Sequence, residues 1–78
     1  MFTVIPAKRD MVRRIRRGFR TEERVSLREA TLPTTPTPGE ELVFTSGKEE
    51  VRAIVGAYAW NSEVGKFDLV LRPTPLQG

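Results

Sequence analysis

Arginine recurs at intervals of three or four residues near the amino terminus of this 78-residue chain. At 100° per residue, an α-helix would place these arginines on one face and apolar side chains on the other. A guanidinium group stays charged at any relevant pH, and its fork of donors matches the oxygens of a phosphate or a carboxylate. We therefore expect an anionic partner to bind a helix face made of Arg9, Arg13, Arg16, Arg17 and Arg20.

The charge of the chain is segregated along its length. Residues 1–28 hold nine of the thirteen Lys and Arg and three acids, whereas residues 29–78 hold four cations and seven acids. Such asymmetry indicates an anionic partner more than it indicates a fold. Three interpretations stay open: the arginines contact nucleic acid, they contact an acidic protein surface or another copy within an assembly, or they are solvated or paired internally. The acids available for internal pairing are Glu22, Glu23, Glu40, Glu41, Glu49 and Glu50.

Tyr58 and Trp60 are two residues apart, so a β-strand would place both side chains on one face of a sheet. Exposed aromatic rings on a sheet can stack the bases of single-stranded nucleic acid. A chain with few large apolar residues more often uses its aromatic side chains to build the core. We therefore expect both residues in the core, with base stacking as the alternative.

Few residues of the chain could carry out catalysis. There is no Cys and no His, which excludes disulfides, thiolate and imidazole catalysis and the usual zinc sites. Gly47-Lys48 lacks the glycine spacing and the Ser or Thr of a phosphate-binding loop. Adjacent acids such as Glu49-Glu50 do not face each other on a strand or a helix, so they form no acid–base dyad. The sequence predicts a protein that is not an enzyme, with no catalytic residue, metal site or cofactor.

A helix within residues 8–20 must position the arginines. A helix of about a dozen residues is marginal alone, so its apolar stripe must pack on another element. We expect Pro6 in its first turn and Gly18 just past its end as a left-handed cap. Residues 2–5, which precede the helix, form a β-prone run. Residues 21–32 fit either a helix or a strand, and their alternation of polar and apolar residues favours the strand. The apolar stripe consists of Met11, Val12, Ile15 and Phe19.

The rest of the chain predicts extended structure. Residues 33–39 contain three prolines and a glycine, which indicates an exposed connector without regular hydrogen bonding. Residues 40–72 predict a β-meander, because short apolar runs alternate with turn residues. Residues 73–78 predict an extended tail.

One segment of the meander is ambiguous. Ser46 could begin a capping box, so a helix competes with a strand for residues 46–60, although Gly56 argues for the strand. The last strand shows a clean alternation that places Phe67 in the core. The expected strands are residues 42–45, 51–60 and 66–72.

These elements predict one small α+β domain over residues 1–78, in which the short basic helix packs on a small antiparallel β-meander or partial barrel. No apolar run approaches the roughly 20 residues of a membrane-spanning helix, and we expect a cytoplasmic location or a particle assembled in the cytoplasm.

The favoured function is a non-enzymatic binding module whose arginine face contacts nucleic acid. The alternative is a structural or adaptor subunit of a larger assembly, such as a phage virion or a head–tail component. Alternation plus a glycine turn over residues 50–72 resembles small β-proteins that join phage heads to tails. It resembles many other small β-barrels equally, so it implies no function on its own.

Overall fold

A computed structural model describes residues 2–74 of the chain. Six elements follow one another, and the single helix lies between the first two strands. Their bounds are β1 Phe2–Pro6, α1 Arg9–Thr21, β2 Val25–Ala30, β3 Glu41–Ser46, β4 Glu49–Asn61 and β5 Lys66–Pro73.

The strands form one five-stranded sheet in the order β1-β3-β4-β5-β2. The predicted antiparallel meander is confirmed as β3-β4-β5, and β2 joins antiparallel to β5. The sheet as a whole is mixed, because β1 pairs parallel to β3. A parallel pair needs a long crossover, and here α1, β2 and the connector together supply it. The sheet is open, with β1 and β2 at its edges, so the expectation of a partial barrel fits only loosely.

The predicted basic helix is confirmed, but both expected boundary residues were wrong. Pro6 ends β1 and the helix begins at Arg9. Gly18 lies inside α1, and the helix continues to Thr21 because the Glu22 N–H donates to the Gly18 carbonyl at 2.8 Å. A glycine is needed at this position because the helix approaches β2 closely there.

Both ambiguous segments are strands. Residues 46–60 fall almost entirely within β4, and residues 21–32 contain β2. Gly47 and Gly65 adopt positive φ angles of 61° and 67° in the two turns of the meander, a conformation that glycine adopts at little cost. These turns fold the apolar runs back on one another, which favours the hairpins over the competing helix.

The core lies between α1 and one face of the sheet. Val12 and Ile15 of α1 are fully buried, and α1 packs against β4, β3 and β2. Met11 and Phe19 are partly buried at the margin of this core. The largest buried side chains contributed by the sheet are Leu42, Phe44, Val55, Leu69 and Leu71.

The connector and the tail differ in detail from the expectation. Residues 33–39 form no helix or strand, but Pro36 is buried, and the Gly39 N–H donates to the Val55 carbonyl at 2.7 Å. Pro73 belongs to β5, and residues 75–78 of the predicted tail lie outside the described residues. Within residues 2–74, no helix is long and apolar enough to cross a membrane.

Candidate anion-binding face of helix α1

The five arginines of the predicted stripe lie outside the buried stripe of α1: Arg9, Arg13, Arg17 and Arg20 are exposed, and Arg16 is half-buried beside β4. Burial of Val12 and Ile15 fixes the rotation of the helix, so the residues on its opposite side must face outward. Asp10 is the single acid within α1. The arginine face is defined here as Arg9, Arg13, Arg16, Arg17 and Arg20.

Glu49, the first residue of β4, forms ion pairs with three of these arginines. Its carboxylate lies 3.4 Å from Arg9 Nε, 3.2 Å from Arg13 Nε and 3.3 Å from Arg16 Nη1. The side chain of Glu49 is only one quarter exposed, whereas the three arginines are more open to solvent. One carboxylate therefore fixes three guanidinium groups without neutralising them.

The same contacts stabilise the ionised form of Glu49. A hydrogen bond from Arg13 holds the pKa of the Glu49 carboxyl below its ordinary value, and the charge of Arg13 and contacts with Arg16 act in the same direction. Partial desolvation opposes this shift but is the weaker effect. Glu49 therefore stays ionised, and the arginine face keeps the same charge, throughout the neutral range.

Backbone carbonyl oxygens also hold Arg16 a second time and one further guanidinium group, that of Arg14. Arg16 Nη2 donates to the Glu50 carbonyl at 2.8 Å, which ties the middle of α1 to the start of β4. Arg14, which lies outside the arginine face, donates to the Ser26 carbonyl at 3.3 Å. These bonds orient the helix on the sheet and leave the remaining N–H donors of both groups available.

Four members of the arginine face line one shallow open groove of about 220 Å³: Arg13, Arg16, Arg17 and Arg20. Within the part of the chain that the structure describes, neither Arg17 nor Arg20 forms an ion pair. The groove thus has two arginines that Glu49 holds in place and two whose guanidinium groups are free for another anion.

The other acids that could have paired with the stripe are engaged elsewhere or lie apart. Glu41 and Glu50 contact Arg52 at 3.4 and 3.7 Å on the sheet. Glu40 accepts hydrogen bonds from the Thr3 hydroxyl at 2.8 Å and from a connector N–H. The sequence indicates six acids that could pair with the arginines and does not single out Glu49. Its position beside α1 depends on how the helix crosses the sheet, which no local pattern predicts.

The expectation that Tyr58 and Trp60 belong to the core was wrong. Tyr58 is 39% and Trp60 is 57% exposed. Both stand opposite residues on the core side of β5, since Tyr58 pairs with Leu69 and Trp60 with Phe67. Their rings meet the Phe67 ring edge-on, with centroids 6.0 and 4.8 Å away. They lie on the core face of the sheet, but beyond the part that α1 covers.

A β-bulge in β4 places Tyr58 and Trp60 on the core face of the sheet. Val55 pairs with Leu71 and Ala57 with Val70, so Gly56 is an extra residue in β4. An extra residue reverses the alternation of side chains along a strand. Before the bulge Val51, Ala53 and Val55 face the core, and after it Tyr58 and Trp60 take that side. Ala57, which strict alternation along the strand would place on the same face as Val55, therefore lies on the opposite face.

The arginine face and the aromatic rings occupy opposite ends of the molecule. Glu49 begins β4 and Trp60 lies next to its last residue. At roughly 3.3 Å per strand residue the two are separated by about 35 Å, close to the 37 Å length of the molecule. They are two sites and not one pocket.

No protein-family model, no curated protein and no solved structure matches this chain.

Proposed function

We propose that this protein is a non-enzymatic binding module whose arginine face holds the phosphate backbone of a nucleic acid. The observation that carries the proposal is the excess of positive charge in the groove. Four arginines line it, Arg13, Arg16, Arg17 and Arg20, and within residues 2–74 the carboxylate of Glu49 is the one acid paired with them. A patch with this excess of guanidinium groups needs mobile anions or a polyanion to balance it.

The spacing of the groove suits a chain of phosphates. Along the helix axis the pairs Arg13–Arg16 and Arg17–Arg20 are each separated by about 4.5 Å, the rise of three residues. That interval lets neighbouring side chains contact separate phosphates of one strand, and each guanidinium group can bind two phosphate oxygens at once. Phosphates are the same along any sequence, and α1 carries no Asn or Gln that could read an adenine edge. Binding is therefore expected to depend on salt and to be insensitive to sequence.

The test replaces Arg13, Arg16, Arg17 and Arg20 with Gln, which preserves helix propensity. Affinity for labelled oligonucleotides of unrelated sequence is measured by fluorescence anisotropy over a range of salt concentrations. We expect affinity to fall about equally for all sequences. The slope of log affinity against log salt should decrease by up to about 0.9 for each duplex phosphate that the variant no longer binds.

The matched control removes four cations elsewhere. Arg24, Arg28, Lys66 and Arg72 are exposed and make no ion pair within residues 2–74. Their replacement with Gln lowers the net charge equally and should reduce affinity far less. If both sets reduce it to the same extent, attraction depends on net charge and the arginine face is not the site. A wild-type protein that binds no nucleic acid at low salt contradicts the proposal directly.

A second candidate function, a structural subunit of a larger assembly, is favoured by strand β1. This edge strand is the one strand of the described sheet without a charged residue. Its Phe2 and Val4 side chains are about half exposed. Protein edges are usually protected by charge, by bulges or by covering elements, and an unprotected edge invites pairing with another chain. The other edge, β2, carries such a bulge.

The test of this second candidate is the oligomeric state by sedimentation. Val4→Lys places a charge on the open edge, and Val64→Lys at a similarly exposed position in the β4–β5 turn serves as the control. Subunit association through β1 predicts that Val4→Lys alone dissociates the assembly. A wild-type protein that stays monomeric at high concentration argues against this candidate.

A further inference from the structure

The aromatic cluster at the far end of the sheet, defined as Tyr58, Trp60 and Phe67, is a second surface that needs a partner. Its rings form one wall of an open cleft of about 510 Å³, to which Thr35 of the connector contributes. Phe67 is partly buried and supports the other two from below, while Trp60 is the most exposed large apolar residue of the described chain. The Tyr58 and Trp60 rings each pack edge-on against Phe67, a favourable arrangement for aromatic pairs.

The dimensions of the elements explain why the cluster is uncovered. Strand β4 extends over most of the 37 Å length of the molecule, whereas a helix with the same number of residues extends only about 20 Å. The contacts of α1 with Glu49 place the helix over the proximal half of β4. The distal half of the β4–β5 hairpin therefore extends beyond the helix, with its aromatic rings on the same side of the sheet as α1.

The bulge and the ring geometry together present flat faces to solvent. Edge-on packing against Phe67 uses the edges and one side of the rings, which leaves ring surface open on Tyr58 and Trp60. Exposed aromatic rings on a sheet bind unpaired bases by stacking, and they do so for any base because every base has a π face. A base pair within a duplex offers no such face.

The charged residues around the aromatic cluster indicate that it and the arginine face contact different parts of one ligand. Around the hairpin end, Glu63 and Asp68 offset Lys66 and Arg28, so this end carries no excess of positive charge. Asp68 is held on the other side of the sheet by the Glu29 N–H at 3.0 Å. Phosphate binding is concentrated on the arginine face, and the aromatic cluster is left to contact bases.

We infer that the aromatic cluster stacks bases of a single-stranded nucleic acid whose phosphate backbone lies on the arginine face. This inference rests on the proposed function and adds to it that the ligand is single-stranded. A strand towards the upper end of the roughly 4–16 nucleotides that single-strand-binding folds cover is long enough to span the roughly 35 Å between the two surfaces. Duplex binds through the arginine face alone.

Trp60 is the only tryptophan in the chain, so its fluorescence reports on the cluster directly. The wild-type protein is titrated with an oligothymidine of about 16 nucleotides and with a duplex of equal length, at low salt. Binding is followed separately by the anisotropy of a label on the nucleic acid. We expect both ligands to bind, with quenching of Trp60 emission by the single strand only.

The variant Trp60→Ala gives the second measurement. Its side chain lies outside the buried core, so circular dichroism should show an intact fold. We expect affinity for the single strand to fall by about tenfold, the effect of removing one stacked base, and affinity for the duplex to stay unchanged. Val64→Ala, a similarly exposed apolar residue on the same hairpin, is the control that should change neither affinity.

The outcomes separate this inference from the proposed function. If no nucleic acid binds at low salt, the proposed function fails and the inference fails with it. If single strands bind but Trp60 emission and the Trp60→Ala affinity stay unchanged, the inference alone is overturned. A change in Trp60 emission that depends on protein concentration without nucleic acid identifies the cluster as a protein interface, and also overturns it.

Discussion

A β-carbon added to Gly18 in the last turn of α1 would lie 2.6 Å from Val25 Cγ2 at the start of β2. Real side chains do not approach so closely. Val25 is buried and paired with Leu71 in the sheet, so its own position is fixed by the strand. The glycine therefore lets the last turn of the arginine-bearing helix lie directly against β2.

Gly18→Ala should destabilise the protein. Alanine in place of a helix-interior glycine normally gains about 1 kcal/mol, but here the new methyl group collides with a β-branched side chain that has little rotamer freedom. We expect a net decrease of about 1–3 kcal/mol in the free energy of unfolding, measured by urea denaturation. The double variant with Val25→Ala should recover part of that stability. A Gly18→Ala protein more stable than wild type would contradict the observed packing.

Leu71→Ala and Phe67→Ala should differ in their effect on stability. Leu71 is fully buried on the core face of β5, so its truncation should cost about 2–5 kcal/mol. Phe67 is only partly buried at the end of the core, so its truncation should cost less, although its sequence pattern predicts a core position. Urea unfolding of both variants checks the order. Equal effects would mean that the distal end of the hairpin is as well packed as the centre.

Glu29→Gly should stabilise the protein. Arg28 and Glu29 together oppose the single residue Asp68, and Glu29 adopts a φ of 56° in this bulge. A residue with a β-carbon is strained there, whereas glycine is not. We expect a gain of up to about 1 kcal/mol in thermal or urea unfolding. Glu29→Val should instead destabilise the protein, because a β-branched residue disfavours positive φ more strongly.

The ion pairs of Glu49 should make stability depend on pH in the acid range. The pKa of Glu49 is lowered in the folded protein, mainly by the hydrogen bond from Arg13. The corresponding stability is therefore complete above the unfolded pKa of about 4.3, and it is lost as pH falls through the lower folded value. Wild type should exceed Glu49→Gln in stability at neutral pH, and the difference should shrink towards pH 3.

Urea midpoints measured across that pH range check the prediction. Glu63→Gln is the control, because the Glu63 side chain is exposed in the β4–β5 turn and has no ion pair within residues 2–74. A difference between wild type and Glu49→Gln that is constant with pH would mean that the arginine contacts do not depend on the Glu49 charge.

Local periodicity was enough to predict the helix and to favour strands over the competing helices elsewhere in the chain. The apolar residues Val12 and Ile15 recur at helical spacing and the arginines fill the other side, so the amphipathic helix and its charged face follow from the sequence. The glycines at positions 47 and 65 mark the two turns of the meander for an equally local reason, because few other residues adopt their φ angles.

Tertiary structure alone decided which residues meet. The parallel pairing of β1 with β3, the contact of three arginines with Glu49 and the approach of Gly18 to Val25 join residues far apart in the chain, and no local pattern encodes them. The two β-bulges, one in β2 and one in β4, likewise depend on pairing between strands and not on a local pattern. One extra residue at Gly56 reverses the faces of β4, which moved Tyr58 and Trp60 onto the core face of the sheet, beyond the helix. Strand register is set by pairing between strands, so a sequence read one strand at a time predicts the alternation but not where it shifts.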